Sequence, residues 1–185
     1  MSNSNISFYC DHVTVRSECP ICTPGAVVKS AILSSDRKYR YVLRRRWDRS
    51  AQSVMFIGLN PSTADENDDD PTIRRCIAYA KAWGFGGLIM VNLFAWRSTL
   101  PLGLWDAPDA VGPDNLLHLI NEQSNSALHI AAWGDGALVN KLDPDRVAAV
   151  TALFDDLYYL KLNKDGTPGH PLYLRGDLLP QLWER

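Results

Sequence analysis

Four short segments of this 185-residue chain hold a polar or aromatic side chain where the backbone has little freedom. In "GLNPS", Asn60 stands between Gly58 and Pro61, whose ring restricts its own φ and the residue before it. A carboxamide fixed in this way suits orienting a water or reading a base edge. In "GLIMVNLFA", Asn92 interrupts an apolar run, and a buried amide has to find partners. A neighbouring loop's backbone would serve it, and so would a ligand. In "AWGDGA", Trp133 and Gly134 close an apolar segment, the glycine letting the following helix approach closely. In "GHPLYL", His170 is anchored between Gly169 and Pro171, and such a histidine alone is more often structural than catalytic. Convergence matters more than any one residue, because two amides, an aromatic and a histidine are what a base-binding pocket requires.

Directly after "GLNPS" comes an acidic run, Asp65 to Asp70, interrupted only by Asn67. Three chemistries compete for it. Asp65, Asp68 and Asp70 offer hard oxygen ligands of the kind Mg²⁺ takes beside substrate phosphates. Asp65 alone would serve as a catalytic base. Asp70 would cap a helix, with Asp68 and Asp69 near its positive end. Near the N-terminus, "YCDHVTVRSECPIC" supplies Cys10, His12, Cys19 and Cys22. The two thiols of Cys-Pro-Ile-Cys form a zinc half-site, and zinc at these four residues is the one cofactor the sequence suggests. Cys76 reads as a small core residue.

Bulk properties narrow the field. A hydrophobic fraction of 46% with 22% charged residues describes a chain that buries a core, and the length suggests one domain. No apolar run approaches the roughly 20 residues of a membrane span. The N-terminus has neither a basic start nor an apolar stretch, so the cytoplasm is the expected location. A net charge of -2 argues against a strong non-specific grip on DNA. One basic stretch, "DRKYRYVLRRRWDR", stands out at residues 36–49. It reads either as a charged face at a sheet edge or as a surface for phosphates.

The elements that position these residues follow from pattern. Residues 1–28 read as an irregular extension and 29–185 as a single α/β domain. "SAILS" and "KYRYVLRRRW" suggest an antiparallel hairpin with Tyr39, Tyr41, Leu43 and Trp47 on one face. "SVMFIGLN", "GLIMVNLFA", "ALHIAAWG" and "LYYLKLN" are apolar enough for strands buried on both faces. Helices are expected at "DPTIRRCIAYAKAW", with Asp70 as N-cap and Pro71 at N1, at "DAVGPDNLLHLINEQSN", and at "DGALVNKLDPDRVAAVTALF". A short terminal helix is expected at "RGDLLPQLWE". The alternation implies a three-layer sandwich around a four-stranded, mostly parallel sheet, with the N-terminal hairpin added to it. Ligands in such sheets bind beyond the carboxyl ends of the strands, which is where the four segments lie.

From about Ala31 onward, with "LNPSTAD", "DDPTIRRC" and "NLFA" as its marks, the chain resembles the domain of unknown function 1643 family of bacterial and phage proteins. More distantly, "GLNPS", "LIMVNLFA", "HIAAWGDGA" and "HPLYLRGDL", in that order, resemble the uracil-DNA glycosylase-like superfamily. That likeness implies N-glycosidic hydrolysis of a base in nucleic acid or a nucleotide. Asn60, Asp65 and His170 would be catalytic, and Gly58, Pro61, Ser62, Asn92, Phe94, Arg97 and Leu172 would contact substrate. By position Asn60 would orient water or stabilise the sugar cation, Asn92 would bind the base edge, and His170 would donate to a base carbonyl. The sequence departs from the superfamily where Asn60 replaces an aspartate and where no serine follows His170-Pro171. A base- or nucleotide-binding module without catalysis, and a metal-dependent nucleotide hydrolase built on the acidic run, are the alternatives.

Overall fold

A computed structural model describes residues 26–184. Cys10, His12, Cys19 and Cys22, the expected zinc ligands, lie outside the described residues. Strands β1 (Val28–Leu33) and β2 (Arg40–Arg46) form the expected hairpin. The hairpin is continuous with the main sheet, because β2 pairs antiparallel with β4 (Gly87–Asn92). β3 (Ser53–Gly58) is central and runs parallel to β4 and to β5 (Leu128–Ala131). β6 (Tyr158–Tyr159) continues parallel beyond β5, and β7 (Gln181–Leu182) closes the edge antiparallel. The expected four strands are therefore the parallel centre of a seven-stranded mixed sheet, in the order β1-β2-β4-β3-β5-β6-β7.

Helix α1 (Pro71–Ala82) begins as its sequence predicts. The Asp70 carboxylate accepts the Ile73 N–H at 2.9 Å, Pro71 occupies the first turn, and Gly84 follows the end at a φ of 83°. α2 spans Asn115–Gln123. The third helical region divides into α3 (Gly136–Leu142) and α4 (Arg146–Thr151), separated at Asp143-Pro144, where the proline disfavours helix in the residue before it. The terminal helix does not form. Pro180 holds that segment extended, and it lies along β6 with Trp183 N–H on the Leu157 carbonyl.

Two cores sandwich the sheet. Val54 and Phe56 of β3 face α1, packing with Ile73, Cys76 and Tyr79, while Met55 and Ile57 face α2 to α4, packing with Leu119, Val139 and Val150. Cys76 is a buried core residue, and burial raises its thiol pKa. A bulge interrupts β2: Ile32 pairs with Val42 but Leu33 with Arg40, leaving Tyr41 extra. The expected single face of β2 is split by this shift. Tyr39 and Tyr41 join the α2 side, and Leu43 and Trp47 the α1 side. Beyond β3 the chain turns to one face of the sheet, and beyond β4 and β5 to the other, which opens a crevice at their carboxyl ends. No helix among the described residues is long and apolar enough to cross a membrane.

Candidate functional site

A cavity of about 550 Å³ occupies that crevice, and residues from the loops after β3, β4, β5 and β6 line it. Gly58, Asn60, Ser62, Asn92, His170 and Leu172 meet in its wall, as does Trp133. Pro61, Asp65, Phe94 and Arg97 do not line it. Phe94 is buried in the core on the α2 side, and its N–H extends the β3–β4 pairing by donating to the Leu59 carbonyl.

The Asn92 side chain has the strongest chemical signature. The residue is 1% exposed, and neither its Nδ2 nor its Oδ1 has a hydrogen-bond partner among the described residues. Its backbone is gripped from the opposite face. Asn115 Nδ2 donates to the carbonyls of Asn92 and Leu93, and Arg146 Nε donates to Leu93 at 2.7 Å. Gly58 keeps the amide in reach of the cavity, since a Cβ there would lie 2.7 Å from Met90 Cε and 2.9 Å from Asn92 Oδ1. An alanine at this position would displace the amide.

Asn60 has a different environment. Its Nδ2 donates to the carbonyls of Pro61 and Ser98, which fixes the amide orientation and joins the loop after β3 to the loop after β4. Oδ1 is left as an acceptor.

His170 owes its place to Gly134, which has a φ of 83° and whose Cβ would lie 2.8 Å from His170 Cβ. Gly134 thus makes room for the histidine, where the sequence suggested room for the following helix. Asn163 Nδ2 and Thr167 Oγ1 both donate to the Gly134 carbonyl, binding the two loops together. His170 Nδ1 is buried without a partner among the described residues. Burial lowers the ring's pKa, opposed by attraction to the Asp70 carboxylate. The imidazole is therefore neutral at pH 7. An NMR titration is expected to put the His170 midpoint below the ordinary 6.5. The unfolded chain then takes up the proton first, so the stability contribution is whole above 6.5 and declines as pH falls through the folded value. A midpoint at or above 6.5 would contradict this placement.

The acidic run has been turned away from the cavity except at its last residue. Asp65 Oδ1 accepts the N–H groups of Asn67 and Asp68, which lower its pKa, and Oδ2 pairs with Arg37. A carboxylate so stabilised in its charged form is a weak base. Glu66 pairs with Arg37, and Asp69 accepts from Arg45 Nε at 2.7 Å. Asp70 lines the cavity, buried, with one oxygen on the Ile73 N–H. Among the described residues, no three His, Cys, Asp or Glu side chains converge as metal ligands would.

The basic stretch serves the same loop. Arg45 and Arg37 hold the acidic run, Arg44 pairs with Glu122 on α2, and Arg46 bonds Ser53 Oγ and the Ala51 carbonyl. The sheet-edge expectation for residues 36–49 fails for β2, which lies between β1 and β4, and Arg44, Arg45 and Arg46 are engaged with partners within the protein. Arg40 is buried and lines the cavity. Sequence reasoning passed over Arg40, Asp70 as a cavity residue, Asn115 and Arg146. The one available signal was Asp70's place at the start of a helix that follows a strand-end loop.

A family model described as "Protein of unknown function (DUF1643)" matches residues 40–172. The chain belongs to this family. No curated protein and no solved structure matches it. The stretch matched to DUF1643 starts at Arg40 and ends at Leu172, both of which line the cavity. The DUF1643 region thus contains the loops after β3, β4 and β5 whole, and the loop after β6 as far as Leu172.

Proposed function

We propose that this protein recognises a nucleobase, in a nucleic acid or a nucleotide, and hydrolyses its N-glycosidic bond in the manner of the uracil-DNA glycosylase-like proteins. The observation that carries this reading is the fully buried, unpartnered Asn92 amide in the cavity wall. A carboxamide offers a donor and an acceptor side by side, which matches a base edge with a carbonyl next to a ring N–H. Leaving both unmet inside a fold is costly unless a ligand meets them.

The other groups divide the chemistry. A base turned out of its stack enters the cavity and meets Asn92. His170, neutral, donates to a base carbonyl. Water is held by Asn60 Oδ1 and by the Asp70 carboxylate, which takes the role first expected of Asp65. As the glycosidic bond breaks, its electron pair leaves with the base, whose developing charge the His170 hydrogen bond stabilises. Water attacks the sugar carbon, its proton passing to Asp70 and then to the departing base.

The test is incubation with single and double strands containing uracil, hypoxanthine or xanthine, with abasic product as the readout. Asp70→Asn retains a good helix cap but loses the base, so cleavage is expected to fall by about 10²-fold or more in a protein that still unfolds cooperatively. A cleavage rate unaffected by Asp70→Asn removes Asp70 from the reaction. A non-catalytic recognition module is the second reading, favoured by Asn60, whose Nδ2 is tied to two carbonyls and which supplies no base at that loop. Binding without abasic product from any of these strands supports that reading over cleavage.

A further inference from the structure

We infer that Arg40 holds a phosphate of the ligand, at the part of the cavity wall formed by Arg40, Ser62 and Thr63. This rests on the reading of Asn92 as the group that meets the base, and it makes the ligand a nucleotide or a phosphodiester strand, where a free base or nucleoside would otherwise suffice.

The argument starts from what Arg40 lacks. It is 2% exposed, its Nη1 donates to the Ala64 carbonyl at 2.8 Å, and its Nε has no partner among the described residues. Three arginines of the hairpin have a carboxylate, Arg37 with Glu66, Arg44 with Glu122 and Arg45 with Asp69, and Arg46 instead directs its guanidinium to Ser53 Oγ and the carbonyls of Arg49 and Ala51. Arg40 has no carboxylate within 4.0 Å among the described residues, although it lines the cavity. Burial and the repulsion of Arg97 and Arg45, against attraction to Asp70, bring its pKa to about 10, which leaves it charged at neutral pH. A buried, unpaired guanidinium is costly, and an anionic ligand supplies the missing partner.

Arg97 does not line the cavity, but its charge lies behind this wall and acts on Arg40. Its Nε is also unpartnered, and its Nη2 reaches towards the Thr63 carbonyl at 3.5 Å, next to the Ala64 carbonyl held by Arg40. Asp70 and Asp135 line the cavity too, but each directs an oxygen to an N–H in the first turn of its own helix, which offsets part of its charge. Phosphate fits this wall better than a carboxylate because it has more oxygens to satisfy. Ser62, Thr63 and Thr72 bring hydroxyls to the same lining, and α1 is a 12-residue helix whose first-turn N–H at Thr72 has no acceptor within the helix. A guanidinium fork beside hydroxyls is a common way to hold phosphate oxygens.

Calorimetric titration compares uridine, inosine and xanthosine with their 5′-monophosphates, with ribose 5-phosphate, and with short single strands carrying the same bases. The expected result is at least 10-fold tighter binding of a monophosphate or strand than of its nucleoside. Arg40→Met is expected to abolish that gain and leave nucleoside binding in place. Tighter binding of the strand than of the monophosphate identifies a phosphodiester as the natural group, and equal binding identifies a free nucleotide. Ribose 5-phosphate binding as tightly as the nucleotides supports Arg40 while sinking the base reading. Equal binding of nucleoside and nucleotide by the wild type overturns the inference without any variant, as does the absence of phosphate-dependent binding to any probe. As a second measurement, the Arg40 Nε–H resonance of the wild type is expected to shift on adding ribose 5-phosphate, and an unmoved resonance contradicts the assignment.

Discussion

Asn92→Ala is expected to weaken binding of the preferred nucleobase by about 10- to 100-fold while leaving the protein as stable as before, or more so. The binding loss follows from removing a paired donor and acceptor, a bidentate contact worth about 1–3 kcal/mol in base recognition. The stability outcome distinguishes a ligand-facing amide from a structural one. An ordinary buried asparagine holds a loop together, and its truncation costs stability because its partners are left unmet. Asn92 has no such partners: its side-chain nitrogen and oxygen are both unbonded, and the carbonyls nearby are satisfied by Asn115 and Arg146. Truncation removes the desolvation penalty of the amide, about 1–3 kcal/mol, against the smaller loss of its packing beside Gly58. Chemical denaturation and a binding titration on the same preparation read both quantities. A stability loss above about 1 kcal/mol means that Asn92 is structural, and unchanged affinity means that it does not touch the base.

Much of this site was legible because it depends on local signals. Gly58, Asn60 and Asn92 sit at the ends of apolar runs, which mark strand termini whatever their partners are, and His170 is anchored between Gly169 and Pro171. α1 was legible for the same reason, with Asp70 and Pro71 adjacent at its start. The hairpin faces were not, because the bulge at Tyr41 shifts the side-chain phase by one residue and nothing in "RYVLRRR" marks it. Long-range ion pairs left no local trace either. Arg45 and Asp69 are 24 residues apart, so the basic and acidic runs looked like two separate surfaces when each neutralises the other. Asn115 and Arg146 were invisible because their partners are main-chain carbonyls, which every residue possesses. At the C-terminus, helical spacing was overruled by Pro180 and by the open edge of β6.

The coupling between those two runs carries the largest stability effect expected for this protein. Arg45→Met is expected to destabilise it by about 3–5 kcal/mol, because removing one member of a buried ionic network leaves the others uncompensated. The Arg45 side chain is 0% exposed. Its Nε donates to Asp69 Oδ1, its Nη2 to the carbonyls of Asp65 and Asp68 at 2.5 and 3.1 Å, and its Nη1 to the Arg44 carbonyl. Methionine fills similar space and satisfies none of these groups. The thermal midpoint should fall by about 10 °C, given roughly 2–4 °C per kcal/mol for a chain of this size. Arg37→Ala supplies the contrast. The Arg37–Glu66 pair is 48% and 37% exposed, so water and salt already screen it and its loss should shift the thermal midpoint far less than the loss of Arg45. The two variants differ in burial more than in charge, and a comparable effect from both would mean that net charge, and not the buried network, holds the acidic run. Arg45→Met should also weaken ligand binding from a distance. The segment it fastens connects Ser62 and Thr63 to Asp70, so the cavity wall after β3 and the start of α1 are held in place by a side chain that touches neither the ligand nor the cavity. In this protein the acidic run serves the site by its attachment to β2, and Asp70 alone of its carboxylates enters the chemistry proposed here.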